Sequence, residues 1–170
     1  RNIVNSMIRK YNKTDFNNSK NGTIIKTFQM YRKDSLEELN DDIKYFESMN
    51  CNFSAKLVRG AYYNSEYREG HLFNDKNKTD NNYNLGIIKC YEAKNDNNII
   101  ASHNKLSLKL AINLNKDRKF IVANLMGMNE EFMNRVDSNK AIYIPYGPYL
   151  KMIPYLTRRL YENMDQIKYI

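Results

Sequence analysis

AIYIPYGPYLKMIPYLTRRLYEN, residues 141–163, reads as a strand running directly into a helix. Ile142, Tyr143 and Ile144 are β-branched or aromatic, which suits a strand. The run stops at Pro145, which has no N–H to give to a sheet ladder. Gly147-Pro148 then opens a helix, because proline at a first helical position forfeits only an N–H that has no partner there. On that helix Tyr155, Arg158, Arg159 and Glu162 recur at spacings of three and four, so they crowd one side. Two guanidiniums beside tyrosines, just past a strand end, can hold a small carboxylate. Taken alone, the same pair reads more often as a solvated basic face. Pro154 falls in the second turn of that helix, where a proline ordinarily kinks or interrupts the ladder.

Four more strand–helix units precede this one. Residues 23–31 are rich in β-branched and aromatic side chains and alternate, with Ile25, Thr27 and Gln29 on one face and Gln29 near the carboxyl end. Ser35 and Glu38 have capping-box spacing ahead of an amphipathic helix that carries Leu36, Leu39, Ile43 and Phe46. Residues 53–58 form the next strand, with Ser54, Lys56 and Val58 on one face, and Arg59-Gly60-Ala61-Tyr62 follows. A lysine in the middle of so apolar a strand either reaches solvent at a sheet edge or serves a buried anion. Residues 99–103 are a strand ending in Ser102-His103, with a helix over 106–114. Residues 120–124 are a strand leading into Leu125-Met126-Gly127 and a short helix over 130–136. A helix over 2–11 and a loop over 12–22 open the chain. Residues 64–70 and 85–94 read as helical, and the Asn/Asp/Lys-rich segment 74–84 between them as a surface insertion.

Strand and helix alternating five times imply an α/β fold with a parallel sheet. Gln29, Arg59, His103, Leu125 with its glycine turn, and Tyr143 all fall at or just past a strand's carboxyl end, the edge where barrel and open α/β folds build sites. That coincidence favours an enzyme. There is no Gly-rich dinucleotide loop, P-loop or Cys/His metal spacing, so no metal site is expected. The 170 residues suit one domain, and Arg1 at the start implies a processed or truncated product. The net charge of +8 raises nucleic acid or an anionic membrane as partners. Lys and Arg are scattered, however, so nucleic-acid binding is not expected and a basic binding module is only a remote alternative. Abundant Asn reads as compositional drift. No apolar run approaches the roughly 18 residues of a membrane span. Cys51 and Cys90 read as free thiols.

The strings TFQMYRKDSLEEL (27–39), AKLVRGAYYNSE (55–66), ASHN (101–104), NLMGM (124–128) and YIPYGPYLKMIPYLTRRLYEN (143–163) occur in the order of the proline dehydrogenase family, and the chain resembles its eukaryotic, mitochondrial members. The resemblance implies a (βα)8 TIM-type barrel that uses FAD to oxidise L-proline to 1-pyrroline-5-carboxylate. Electrons then pass to ubiquinone or another membrane acceptor, in proline catabolism to glutamate. It also implies a mitochondrial location, at the inner membrane or in the matrix, with peripheral membrane association. Residue by residue, Gln29, Lys56, Arg59, Gly60, Ala61, Ser102, His103 and Glu162 match positions that contact the cofactor. Tyr62, Leu125, Tyr143 and Tyr155 match those around the proline ring, and Arg158 and Arg159 match the pair that binds its carboxylate. Lys56 and Tyr62 are the candidate catalytic residues: Lys56 falls near the flavin's reactive nitrogen, where it can stabilise charge on the reduced ring. Hydroxyproline-oxidising relatives have a smaller residue at the position of Tyr143, so the tyrosine favours proline. Asn124 departs from the glutamine or hydrophobic residue of eukaryotic relatives, whereas Pro154 is shared with them, so the resemblance implies that the helix tolerates it.

The family's first units carry a substrate-binding lysine and an Asp-Ala-Glu string, and neither occurs in these residues. The chain is therefore expected to be the C-terminal part of one barrel domain, roughly its last five β/α units. As an isolated piece it is expected to bind FAD weakly and to turn nothing over. A truncated non-catalytic paralogue and a hydroxyproline dehydrogenase are the alternatives.

Overall fold

The computed structural model describes residues 2–13, 24–60, 62, 66–67, 70–93, 97–115, 120–126, 130–137 and 139–162. Its elements are α1 (Asn2–Tyr11), β1 (Ile25–Gln29), α2 (Ser35–Ser48), β2 (Ser54–Val58), α3 (Lys76–Glu92), β3 (Asn98–Ala101), α4 (Lys105–Leu114), β4 (Phe120–Leu125), α5 (Glu130–Asn134), β5 (Asn139–Tyr143) and α6 (Tyr149–Glu162). The five strands make one sheet in the order β1-β2-β3-β4-β5, and every pairing is parallel. A sheet that adds each strand beside the last, with no reversal of order, is the arrangement of a barrel wall rather than of a doubly wound sheet.

The two faces of the sheet differ. Lys26 and Phe28 of β1, Ala55 and Leu57 of β2, Ile100 of β3, and Phe120 and Val122 of β4 are buried. The apolar ones pack in one core with Leu39, Ile43 and Phe46 of α2, Tyr83, Ile87 and Cys90 of α3, and Leu108 and Ala111 of α4. The stacked rings of Phe46 and Phe53, 5.2 Å apart and 8° from parallel, extend this core from α2 to the entry of β2. α3 approaches the sheet closely at Gly86, where an added Cβ would lie 2.8 Å from the terminal methyl of Met30. On the opposite face Thr27, Lys56, Ile99, Ile121 and Asn139 align across the strands in register. That second face is the interior side of a barrel wall.

Asparagines clasp the amino ends of the strands. Asn12 accepts the Ile24 N–H at 2.9 Å and donates to the carbonyls of Ile24 and Asn52 at 2.8 Å each. Asn98 accepts the Ala55 N–H at 2.9 Å, and Asn115 accepts the Phe120 N–H at 2.8 Å. These side chains supply backbone partners where the ladder begins. Cys51 and Cys90 are free and buried, and burial pushes the Cys90 thiol up to about 12.

Three expectations need correction. The segment 74–84, expected as a surface insertion, contains the N-cap and first half of α3, with Asn82 and Tyr83 buried. Asp75 caps that helix through the Asn77 N–H at 2.9 Å, and Tyr83, Ile87 and Cys90 give its inner face. The capping box at Ser35 does not form. Asp34 is the N-cap without a side-chain bond, and the Ser35 hydroxyl instead donates to the Arg32 carbonyl at 2.7 Å and accepts from Asn82 at 2.9 Å. Finally, the first residue of α6 is Tyr149 rather than Pro148; the helix runs on through Pro154, in keeping with the tolerance that the resemblance implies. The Pro148 carbonyl accepts the Lys151 and Met152 N–H groups at 2.9 Å each.

Candidate active site

Several of the residues singled out in the sequence sit at one end of the sheet. Gln29 is the last residue of β1, in register with Val58 at the end of β2. Arg59 follows β2, Ser102 and His103 follow β3, and Leu125 and Tyr143 end β4 and β5 as register partners.

Arg59 is the hub of the first cluster. Its Nε donates to Asp80 Oδ1 at 2.8 Å, its two Nη atoms donate to the hydroxyls of Ser102 and of Ser107, the latter at 2.8 Å, and its guanidinium lies 4.3 Å from the Tyr83 ring centroid. Tyr83 in turn donates to or bridges the carbonyls of Leu57 (3.2 Å) and Ala101 (3.1 Å), the ends of β2 and β3. One arginine thus ties two strand ends to α3 and α4. Ser102 also accepts the Asn104 N–H at 3.1 Å, which places His103 between a fixed serine and the N-cap of α4. Burial first, and then the Arg59 charge, hold the His103 imidazole below its ordinary value of 6.5, so it is neutral at physiological pH.

Lys56 lies half-buried on the uncovered face between Thr27 and Ile99. Among the described residues it has no carboxylate at ion-pair distance, in contrast to Lys26 on the covered face, which is paired with Asp42 and Glu38. Of the two readings left open for a mid-strand lysine, the sheet-edge one fails, because β2 has a neighbour on each side.

The second cluster joins β5 to α6. The Tyr143 and Tyr155 rings lie 6.4 Å apart at 52°, and the Arg159 guanidinium stands 5.4 Å from the Tyr155 ring centroid. Burial and then the hydrogen bond with Tyr143 push the Tyr155 phenol up, against the opposing charges of Arg159 and Arg158, so it remains a neutral hydroxyl. Arg158 is exposed beside it. Leu125 of β4 stands in the sheet between the two clusters.

Tyr62 is largely exposed, with its backbone N–H donated to the Tyr31 hydroxyl at 3.3 Å. Gly60 has φ +154°, and an added Cβ would fall 2.4 Å from the Tyr31 ring. Ala61 and the Glu162 side chain lie outside the described residues. Asn124 is buried and shares the covered face of β4 with Phe120 and Val122, away from the site. Asp80, Tyr83, Ser107, Tyr31 and Glu66 were not singled out from sequence. Helical spacing of Tyr83, Ile87 and Cys90 was the available signal for α3, obscured by the polar residues around it.

A sequentially ordered parallel sheet, helices against one face, and polar side chains gathered at the strands' carboxyl ends define a barrel-type α/β domain with a candidate site at that end. A profile of the proline dehydrogenase family matches residues 1–169, and the chain belongs to that family. It is 29% identical to proline dehydrogenase 1, mitochondrial, of Caenorhabditis elegans, over 98% of this chain and 30% of the relative. It is 34% identical to proline dehydrogenase 2, mitochondrial, of Arabidopsis thaliana, over 87% of this chain and 36% of the relative. Among solved structures, proline utilization A from Bdellovibrio bacteriovorus inactivated by N-propargylglycine superposes with a TM-score of 0.80 at 26% identity, covering 95% of this chain and 18% of that one. The chain therefore spans about a third of the length of the curated relatives it matches.

Proposed function

We propose that this chain forms the carboxyl-end wall of the active site of an FAD-dependent proline dehydrogenase. In this reading it oxidises L-proline to 1-pyrroline-5-carboxylate in mitochondria and passes the electrons to ubiquinone or another membrane acceptor. One observation carries the reading: residues from all five strands and from α6 gather at one end of a single sheet, in a chain whose whole length matches the family. Membrane contact in this reading is peripheral; among the described residues, no helix is long and apolar enough to cross a membrane.

The donor set fits a flavin. Its ring system presents acceptors and gains negative charge on reduction, and its diphosphate is anionic. The amide of Gln29, the ammonium of Lys56, the guanidinium of Arg59, the Ser102 hydroxyl and the neutral His103 imidazole are the groups that would hold it, with Gly60, Ala61 and Glu162 alongside. Bound FAD supplies the redox chemistry, a two-electron oxidation of the substrate's N–C bond. This chain's own side chains bind and orient. Arg158 and Arg159 fix the proline carboxylate through charge-assisted bonds. Tyr62, Leu125, Tyr143 and Tyr155 wall the ring and exclude water. Lys56 places a fixed positive charge where negative charge develops, at no cost in reorganisation. Lys56 and Tyr62 are the residues we assign to catalysis.

The test is a flavin spectrum. The product of the whole reading frame that encodes this chain should be yellow and bleach on addition of L-proline. A colourless protein, unaffected by added FAD and proline, would overturn the reading. Tyr143 favours proline over hydroxyproline, so comparable turnover of the two would overturn that part alone. As an isolated 170-residue polypeptide the chain should retain little FAD and show no turnover. Tyr62 and Tyr143 stand largely exposed, and β1 and β5 are edges of the sheet.

A further inference from the structure

Tyr31 is buried just past the end of β1, continues the parallel pairing by donating its N–H to the Arg59 carbonyl at 2.8 Å, and accepts the Phe73 N–H on its own carbonyl at 2.9 Å. Its side chain turns toward the segment that follows β2. There the hydroxyl accepts the Tyr62 N–H at 3.3 Å and donates to Glu66 Oε2, while Arg32 holds the other Glu66 oxygen at 3.7 Å. Its ring lies where a Cβ on Gly60 would be. Burial, and then the bond to Glu66, push the phenol up, so the hydroxyl keeps the proton it donates. Glu66 also closes back on this segment through its own N–H, donated to the Tyr62 carbonyl at 3.0 Å.

We propose that Tyr31, through its hydroxyl bonds to Tyr62 and Glu66, is a positioning residue that holds the β2 strand end against the substrate side of the site. The inference rests on the proline dehydrogenase reading, because Tyr62 is one of the walls assigned to the proline ring. Arg59 is fixed on its far side by Asp80, Ser102 and Ser107, and Tyr31 meets the next residues of the chain, its ring against Gly60 and its hydroxyl on the Tyr62 N–H. A tyrosine wall whose backbone drifts binds a saturated ring less well, and small displacements at a reacting centre are costly.

The experiment compares wild type, Tyr31→Phe, Glu66→Ala, Glu66→Gln and Tyr31→Phe/Glu66→Ala, each in the whole reading-frame product. Tyr31→Phe keeps the ring against Gly60 and removes only the hydroxyl. KM for proline should rise about three- to tenfold, the fold-change that losing the neutral bond to the Tyr62 N–H is worth, with kcat changed less than about twofold and the melting temperature and flavin spectrum unaltered. Glu66→Ala should behave alike, Glu66→Gln should retain near-wild-type KM through its amide oxygen, and the double variant should add nothing. Amide hydrogen exchange at Gly60, Tyr62 and Glu66 should speed up in Tyr31→Phe while α2 and α3 stay protected. Wild-type exchange or wild-type KM in Tyr31→Phe, or additivity in the double variant, would overturn the proposal. A wild-type protein that proline does not reduce would remove the functional reading instead, and the exchange arm still decides whether Tyr31 holds the segment.

Discussion

Tyr143 and Tyr155 face each other across the junction of β5 and α6, ring centroids 6.4 Å apart, with the Arg159 guanidinium 5.4 Å from the Tyr155 ring. The geometry makes Arg159 a planar cation lying on an aromatic wall. Lysine cannot copy it, because an ammonium offers no bidentate fork. Arg159→Lys should therefore raise KM for proline by roughly 10- to 150-fold, the worth of about 1.5–3 kcal/mol for a hydrogen bond to a charged group, while kcat falls much less. Steady-state kinetics on the flavin-loaded enzyme decide it, and an unchanged KM would strip Arg159 of the carboxylate role.

Gly60 gives a prediction about stability. Its φ of +154° disfavours any side chain, and a Cβ would sit 2.4 Å from the Tyr31 ring. Gly60→Ala should cost about 2 kcal/mol or more, from backbone strain and overpacking together. Adding Tyr31→Ala removes the clash and leaves the strain, so a thermal melt of the double variant should not recover the wild-type value.

The α/β class, five strands in order and the strand-end residues were legible because their signals are local. Period-two runs mark the strands, and Ile25, Thr27 and Gln29 mark a face. The Arg59 tie was not legible. Asp80, Tyr83 and Ser107 lie 21 to 48 residues from Arg59 in sequence, and Asp80 and Tyr83 sit among Asn, Lys and Asp residues that mask a helix anchored by Tyr83, Ile87 and Cys90. Ser35 shows the reverse error. Its spacing to Glu38 suits a capping box, but Asn82 on α3 claims its hydroxyl, so a tertiary partner overrides the local one. Lys56 read as odd in a strand, whereas Lys26, nearly as central and far more buried, drew no notice, because only packing reveals Asp42 and Glu38 beneath it.

That buried pair is testable. Lys26 donates to Asp42 and, at 3.0 Å, to Glu38, and Lys26 and Asp42 are 7% and 4% exposed. Lys26→Met leaves the Asp42 carboxylate buried without its cation and should cost about 3–5 kcal/mol. Lys26→Met/Asp42→Leu removes both charges and should recover most of that loss. Denaturant melts of the two variants separate the cost of an orphaned charge from the net worth of the pair, and equal losses would refute the account.

His103 sets a pH dependence. Burial, then the Arg59 charge, keep its folded value below the 6.5 of an ordinary imidazole. Between that depressed value and 6.5 the unfolded chain holds more protons than the folded one, so stability rises with pH across the window and is lost as pH falls through it. Above 6.5 both states are neutral and the dependence from this group vanishes. Carboxylates enter lower: Arg32 holds Asp34 below its ordinary 3.8, so its contribution is lost only in more acid solution. Melting temperatures should accordingly fall between a pH of about 7.5 and about 5.5 in wild type and fall less in His103→Gln, which keeps a polar side chain that cannot take up a proton. Removing the Arg59 charge should act in the same direction through a different route, because without it the imidazole moves back toward 6.5 and the window narrows. Parallel pH profiles for wild type and His103→Gln would show that another group carries the dependence.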